Sequence, residues 1–148
     1  MIAFLINILV GILGGIAAGL QAPFTGVMGQ RVGELGSVLF TYGLGALVIL
    51  AIVIGTVSAG VTDLSQWRTI PWWAFFAGPL GLVIIGSLAY AVPRVGATSA
   101  TMLFLVGWLV FSAIVDHFGW FGTEVRQLDM SRLAGTLTLL VGGWLILR

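Results

Sequence analysis

The sequence predicts an all-α integral membrane protein with five transmembrane helices, and three observations carry that reading. Hydrophobic residues make up 59% of the 148 residues and charged residues only 7%, with a mean hydropathy of +1.16. A soluble domain carries roughly a quarter charged residues, so this chain has too few to cover a water-facing surface. Long apolar stretches recur along the chain, each close to the ~20 residues a helix needs to cross a hydrocarbon core of about 30 Å. The arginines fall between those stretches or at their ends, and Trp67, Trp72 and Trp120 lie where a membrane interface would place them.

Residues 2–20 form the first expected span, with Asn7 its one strongly polar member and no basic residue ahead of it. It reads as a retained helix rather than a cleaved signal, because nothing after Gly19 resembles a cleavage site. Residues 21–34 read as a mixed linker holding Pro23, Gln30, Arg31 and Glu34. The second span is 35–59, followed by a polar loop with Asp63 and Arg68. The third, 72–92, opens on Pro71-Trp72-Trp73, where proline suits a first helical turn and tryptophan an interface. Pro93-Arg94 reads as a tight turn into the fourth span, 95–115. The longest polar loop leads to a short fifth span, 132–147, with Asp129 and Ser131 as candidate caps. The whole chain, 1–148, reads as one transmembrane domain.

Charge sets topology through arginine alone, because the chain has six arginines and no lysine. Five spans put Arg68, Arg126 and Arg132 on one side and Arg31, Arg94 and Arg148 on the other. The positive-inside rule returns a tie, so the sequence predicts insertion in both orientations and an antiparallel homodimer. A net charge of +1 without a basic cluster points away from nucleic acid. Without cysteine there is neither a disulfide nor a thiolate metal site, and neither a metal nor a cofactor is expected.

Glycines supply the packing signal. Gly11, Gly15 and Gly19 repeat every four residues on one helix face, and Gly78 and Gly81 flank Pro79. Such faces let another backbone approach closely, within one protomer or between two.

Ionisable groups inside a membrane are costly and are functional suspects by default, yet no carboxylate falls in mid-span here. His117 is the one histidine, and no hydrolase, phosphate-loop or metal motif is present, so an enzyme is not expected. The candidate substrate-binding residues are therefore uncharged: Gln21 and Thr25 around Pro23, Tyr42, Tyr90 and Trp108. Trp108 sits near the middle of the fourth span, where an indole either lines a cavity or packs on a neighbouring helix. Asp116, His117 and Arg94 read as structural or gating groups at span ends, Asp116 pairing with Arg126 or Arg94.

Several segments together resemble the YdcZ-type family, a five-helix branch of the drug/metabolite transporter superfamily. They are Gln21-Ala22-Pro23, Gly29-Gln30-Arg31, Trp72-Trp73, Gly78-Pro79-Leu80-Gly81 and Pro93-Arg94-Val95-Gly96-Ala97. The strongest is Ser112 through Asp116-His117-Phe118-Gly119 to Gly122, continuing to Arg126, Leu128 and Arg132 through Gly135. The resemblance covers essentially the whole chain. It implies an inner-membrane protein equivalent to half of a ten-helix transporter bundle, working as a homodimer or with a paralogous partner by alternating access. Thr25 stands where this family commonly has Asn, and Trp108 where it commonly has Gln, so both bear on substrate choice. Helix one lacks the embedded glutamate by which the small multidrug-resistance branch couples export to protons.

The favoured reading is a secondary transporter of a small metabolite or amphipathic compound. The alternative is a non-transporting membrane scaffold or regulatory subunit that binds another membrane protein. A channel has neither a ring of charges nor a filter-like motif to support it.

Overall fold

The computed structural model describes residues 2–126 and 129–148. Leu128 of the family resemblance and the side chain of Arg132 lie outside the described residues. The described residues contain four α-helices and no strand: α1 (Ile2–Ser58), α2 (Ala77–Val95), α3 (Ala97–Phe118) and α4 (Met130–Leu147). Short 3-10 turns lie at Ser65–Thr69, Trp72–Phe76 and Trp120–Gly122. Phe4–Ser58, Trp72–Val95 and Ala97–Phe118 are long and apolar enough to cross a membrane, and Leu133–Leu147 is a shorter apolar helix.

The chain forms two compact units, Met1–Pro93 and Arg94–Arg148. In the first, helix α1 does not stop at residue 20, and the expected linker is helical. It runs through Pro23 and breaks at Gly33, whose φ of 76° and ψ of 168° are non-helical. The physical reason is that Gln, Arg and Glu propagate a helix well, so polarity alone does not end one. A backbone conformation open essentially to glycine does. The arm before the break is roughly 45 Å long at 1.5 Å per residue, well beyond a hydrocarbon core of about 30 Å.

Across the break, the Ser37 hydroxyl donates to the Thr25 carbonyl oxygen at 3.0 Å, and both residues are fully buried. Thr25 in turn donates its own hydroxyl to the Ala22 carbonyl at 2.9 Å. These bonds sit in the core of the unit, beside buried Ala22, Ile85, Leu88 and Ala89. Small residues make the core possible. A Cβ at Gly26 would lie 2.5 Å from Val92 Cγ1, and one at Gly29 would lie 2.7 Å from the Ala89 carbonyl oxygen. Gly26 and Gly29 of α1 thus meet Val92 and Ala89 of α2, one helical turn apart on each helix.

The loop after α1 is ordered by Asp63. Its carboxylate accepts the Ser65 backbone N–H at 2.8 Å and the Ser65 hydroxyl at 3.0 Å. Those bonds hold its pKa below the ordinary carboxylate value. The Arg68 guanidinium lies 5.4 Å from the centre of the Trp67 ring, an exposed cation–π pair.

Pro93 and Arg94 are not the turn that the sequence suggested; both belong to the last turn of α2. The break falls at Gly96, with φ 84° and ψ 157°, again a conformation that glycine supplies. A proline within a helix removes one donor and crowds the carbonyl four residues back, yet here, in the last turn, the helix continues past it by two residues.

In the second unit, Gly143 of α4 packs on Met102 and Val106 of α3, with 3.2 Å to Met102 Cε from a notional Cβ. Helix α3 ends at Gly119, a left-handed residue whose N–H bonds to the Val115 carbonyl. The chain then folds back, and the Arg126 N–H donates to the Asp116 carbonyl at 2.8 Å. Helix α4 begins at Met130, two residues before the expected Arg132. The Asp129 carbonyl takes the first helical bond, from Leu133 at 3.0 Å, and Ser131 donates to the Asp129 carboxylate at 2.8 Å.

Candidate functional site

The bend and the α2 contact leave a cleft of about 460 Å³ in the first unit, lined by Gln21, Thr41, Tyr42, Gly45, Ala46, Ile49 and Ile85. Each α1 arm contributes a polar group: Gln21 from before Gly33, Thr41 and Tyr42 from after it. Gln21 also borders a groove of about 590 Å³ running along the first arm past Gly14, Ala17 and Ala18 to Phe24. The size falls within the range of small-molecule sites, and the lining is mostly apolar with a few polar groups, as such sites are. None of the residues lining it is an Asp, Glu, Lys, Arg or His.

The Tyr42 ring lies against Gly81 of α2, so closely that a Cβ at position 81 would collide with the phenol oxygen. Gly81 thus seats a cleft side chain. Gly78 meets nothing within 4 Å, and neither do Gly11, Gly15 and Gly19. The helix contact is made instead by Gly26 and Gly29, which lie just beyond that stripe.

Thr25 lies outside the lining of the cleft. Its hydroxyl and its carbonyl are both occupied by hydrogen bonds within α1, and it is fully buried. Tyr90 lies on α2 and is exposed. In the second unit Trp108 is 60% exposed and meets Phe104 edge to face at 5.6 Å between ring centres. A smaller cleft of about 170 Å³ lies between α3 and α4, lined by Met102, Leu103, Val106, Leu140, Gly143, Trp144 and Leu147.

Arg94 is exposed in the last turn of α2. Asp116 and His117 are half-buried in the last turn of α3, and the His117 ring meets Phe118 edge to face at 4.9 Å. The Arg126 guanidinium lies 3.4 Å from the Glu124 carboxylate, while its backbone N–H anchors the loop to the Asp116 carbonyl. Both partners of that ion pair are well exposed, so the pair contributes little and the backbone bond is the firmer tie. Among the described residues no group of three His, Cys, Asp or Glu side chains is placed to hold a metal.

Thr41 was missed from sequence. Its hydroxyl oxygen is buried and has no hydrogen-bond partner among the described residues. An unmade bond of that kind costs about 1–3 kcal/mol. The readable signal was a spacing of four, with Ser37, Thr41 and Gly45 falling on one face of the second arm.

A family model described as "Putative inner membrane exporter, YdcZ" matches residues 6–145. Neither the curated proteins nor the solved structures include a match to the chain. The match reaches into all four helices, whose apolar stretches fit a membrane protein, and the family described is one of exporters. The chain belongs to the YdcZ family.

Proposed function

We propose that the protein is one half of an alternating-access exporter for small, uncharged compounds, with five membrane crossings and a working unit of two copies. The observation that carries this reading is the cleft at the bend of α1, where Gln21, Thr41 and Tyr42 offer hydrogen bonds among apolar side chains. A charged solute entering it would find no countercharge in the lining, and burying an unpaired charge is prohibitive. The break at Gly33 divides α1 into the first two crossings, and α2, α3 and α4 supply the other three. An odd number of crossings puts the termini on opposite sides. With arginines split evenly, two copies inserted in opposite senses generate the in-plane twofold symmetry that longer transporters build from inverted repeats. Trp108 and Tyr90, both exposed in the single chain, are candidate substrate contacts in that pair, with Asp116, His117 and Arg94 as gating groups at the ends of crossings.

The test is a pair of fusions after Arg148, one reporter active only in the cytoplasm and the other only outside it. Signal from both supports the antiparallel pair; signal from one removes it and calls for an oppositely oriented paralogue. Thermal stabilisation of the purified protein by neutral compounds supports transport. A stable complex with another membrane protein and no response to any compound favours the scaffold reading instead.

A further inference from the structure

We infer that the Thr41 hydroxyl is the specificity-determining hydrogen-bond group of the cleft, and that its ligand class is a neutral amide on an apolar body. The inference rests on the reading of this cleft as the substrate site. The chain itself supplies the comparison. Hydroxyls inside membrane helices ordinarily bond back to a carbonyl of the preceding turn. Thr56 does so to the Ile52 carbonyl at 2.9 Å, Ser58 to Ile54 at 2.7 Å, and Thr138 to Ala134 at 2.8 Å. Thr25 bonds to the carbonyl three residues back, and Ser37 reaches across the bend to the other arm. Thr41, one helical turn beyond Ser37, does neither, and its oxygen is buried without a partner among the described residues.

A helix offers a threonine this bond to a carbonyl of its preceding turn, and the Thr41 oxygen does not take it. Thr41 lines the cleft, and rotation about χ1 to another staggered well can turn its hydroxyl toward that space. The other polar groups on that wall fix the chemistry of the ligand. The Gln21 carboxamide both donates and accepts, and so does a hydroxyl, which matches the paired donor and acceptor of a primary amide. Gly45, Ala46, Ile49 and Ile85 cover the apolar body. A site built around such a group rejects an analogue that lacks it, because the buried polar atom is then left unmet.

The test uses the full-length protein purified in detergent, its unfolding followed by tryptophan fluorescence. Two probes of matched shape are titrated, 4-phenylbutanamide and pentylbenzene. Stabilisation as a function of ligand concentration yields an affinity for each. The expected result is tighter binding of the amide by the wild-type protein, with Thr41→Ser retaining that preference. Thr41→Val, which exchanges only the hydroxyl for a methyl, should need about tenfold more amide for the same shift, equivalent to about 1.4 kcal/mol, with the pentylbenzene response unchanged. Thr41→Ala repeats the measurement should the valine variant fail to fold. Equal amide affinity in wild type and Thr41→Val overturns the role of Thr41 while leaving the cleft as a site. Equal binding of the two probes by the wild-type protein overturns the amide class. If neither probe binds the wild-type protein, the inference and its site both fall, whatever the fusions after Arg148 report about orientation.

Discussion

Gly11, Gly14, Gly15 and Gly19 lie in the first part of α1, and Gly26 and Gly29 lie in the stretch before its bend. The first set is exposed, and a Cβ on any of its members would meet nothing within 4 Å. The second set faces Val92 and Ala89 of α2 at distances that leave no room for a methyl group. One helix therefore carries two stripes of small residues, with opposite surroundings. Glycine spacing says where close approach is allowed; the polar bonds beside it say where close approach has happened. In lipid, apolar side chains gain little by leaving the bilayer for one another, so packing and hydrogen bonds decide the contact. Thr25 and Ser37 supply those bonds next to Gly26, and among the described residues no comparable pair flanks Gly15.

The sharpest way to break this contrast is Gly29→Ala. Its methyl would press on the Ala89 backbone carbonyl, which cannot rotate away, and a loss of about 2–3 kcal/mol is expected in reversible unfolding from mixed micelles. Gly33→Ala should cost about 2 kcal/mol through torsional strain alone, because no neighbour lies within 4 Å of its Cβ position. Ser37→Ala, which removes the tie between the arms, should cost about 1 kcal/mol in the same assay. By contrast, Gly15→Ala should leave the isolated chain as stable as before or up to about 1 kcal/mol more stable, as expected in an open helix. If Gly15→Ala instead weakens cross-linking between copies, the exposed stripe is the surface on which the second copy sits.

The smallest effect belongs to Asp63, fully exposed in the loop after α1. Its pKa is lowered in the folded chain, so its contribution is present above the ordinary carboxylate value and lost as pH falls through the lower, folded one. Asp63→Asn should loosen the Ser65 turn at neutral pH, seen as faster cleavage of that loop by protease, with no change in unfolding of the helices. An unchanged cleavage rate would show that the turn holds without its carboxylate.

The apolar stretches made the helices legible, because bilayer thickness imposes a length on anything that crosses it. The breaks were harder to read. Gly33 is one of 22 glycines, and nothing local distinguishes it from the others until its torsion angles are known. Pro93 drew the turn toward itself, although Gly96 makes it. At the site, Gln21 and Tyr42 were legible as polar residues in apolar surroundings, and both line the cleft. Thr25 looked equivalent, yet its hydrogen-bonding groups are spent inside α1, which only a three-dimensional count of partners reveals. Thr41 was hidden for the converse reason. Threonine in a membrane helix ordinarily satisfies itself, so an unsatisfied one cannot be told apart by its letter.

The bend at Gly33 has a consequence for chirality. Its φ of 76° and ψ of 168° are close to the mirror image of an ordinary extended residue, and no atom stands where an L side chain would go. Handedness alone therefore reserves this position for glycine. A D-alanine placed there by chemical synthesis would find its own preferred backbone region and would restrict the unfolded chain more than glycine does. The mirror-image residue would meet the bend without the torsional strain that its L counterpart carries there.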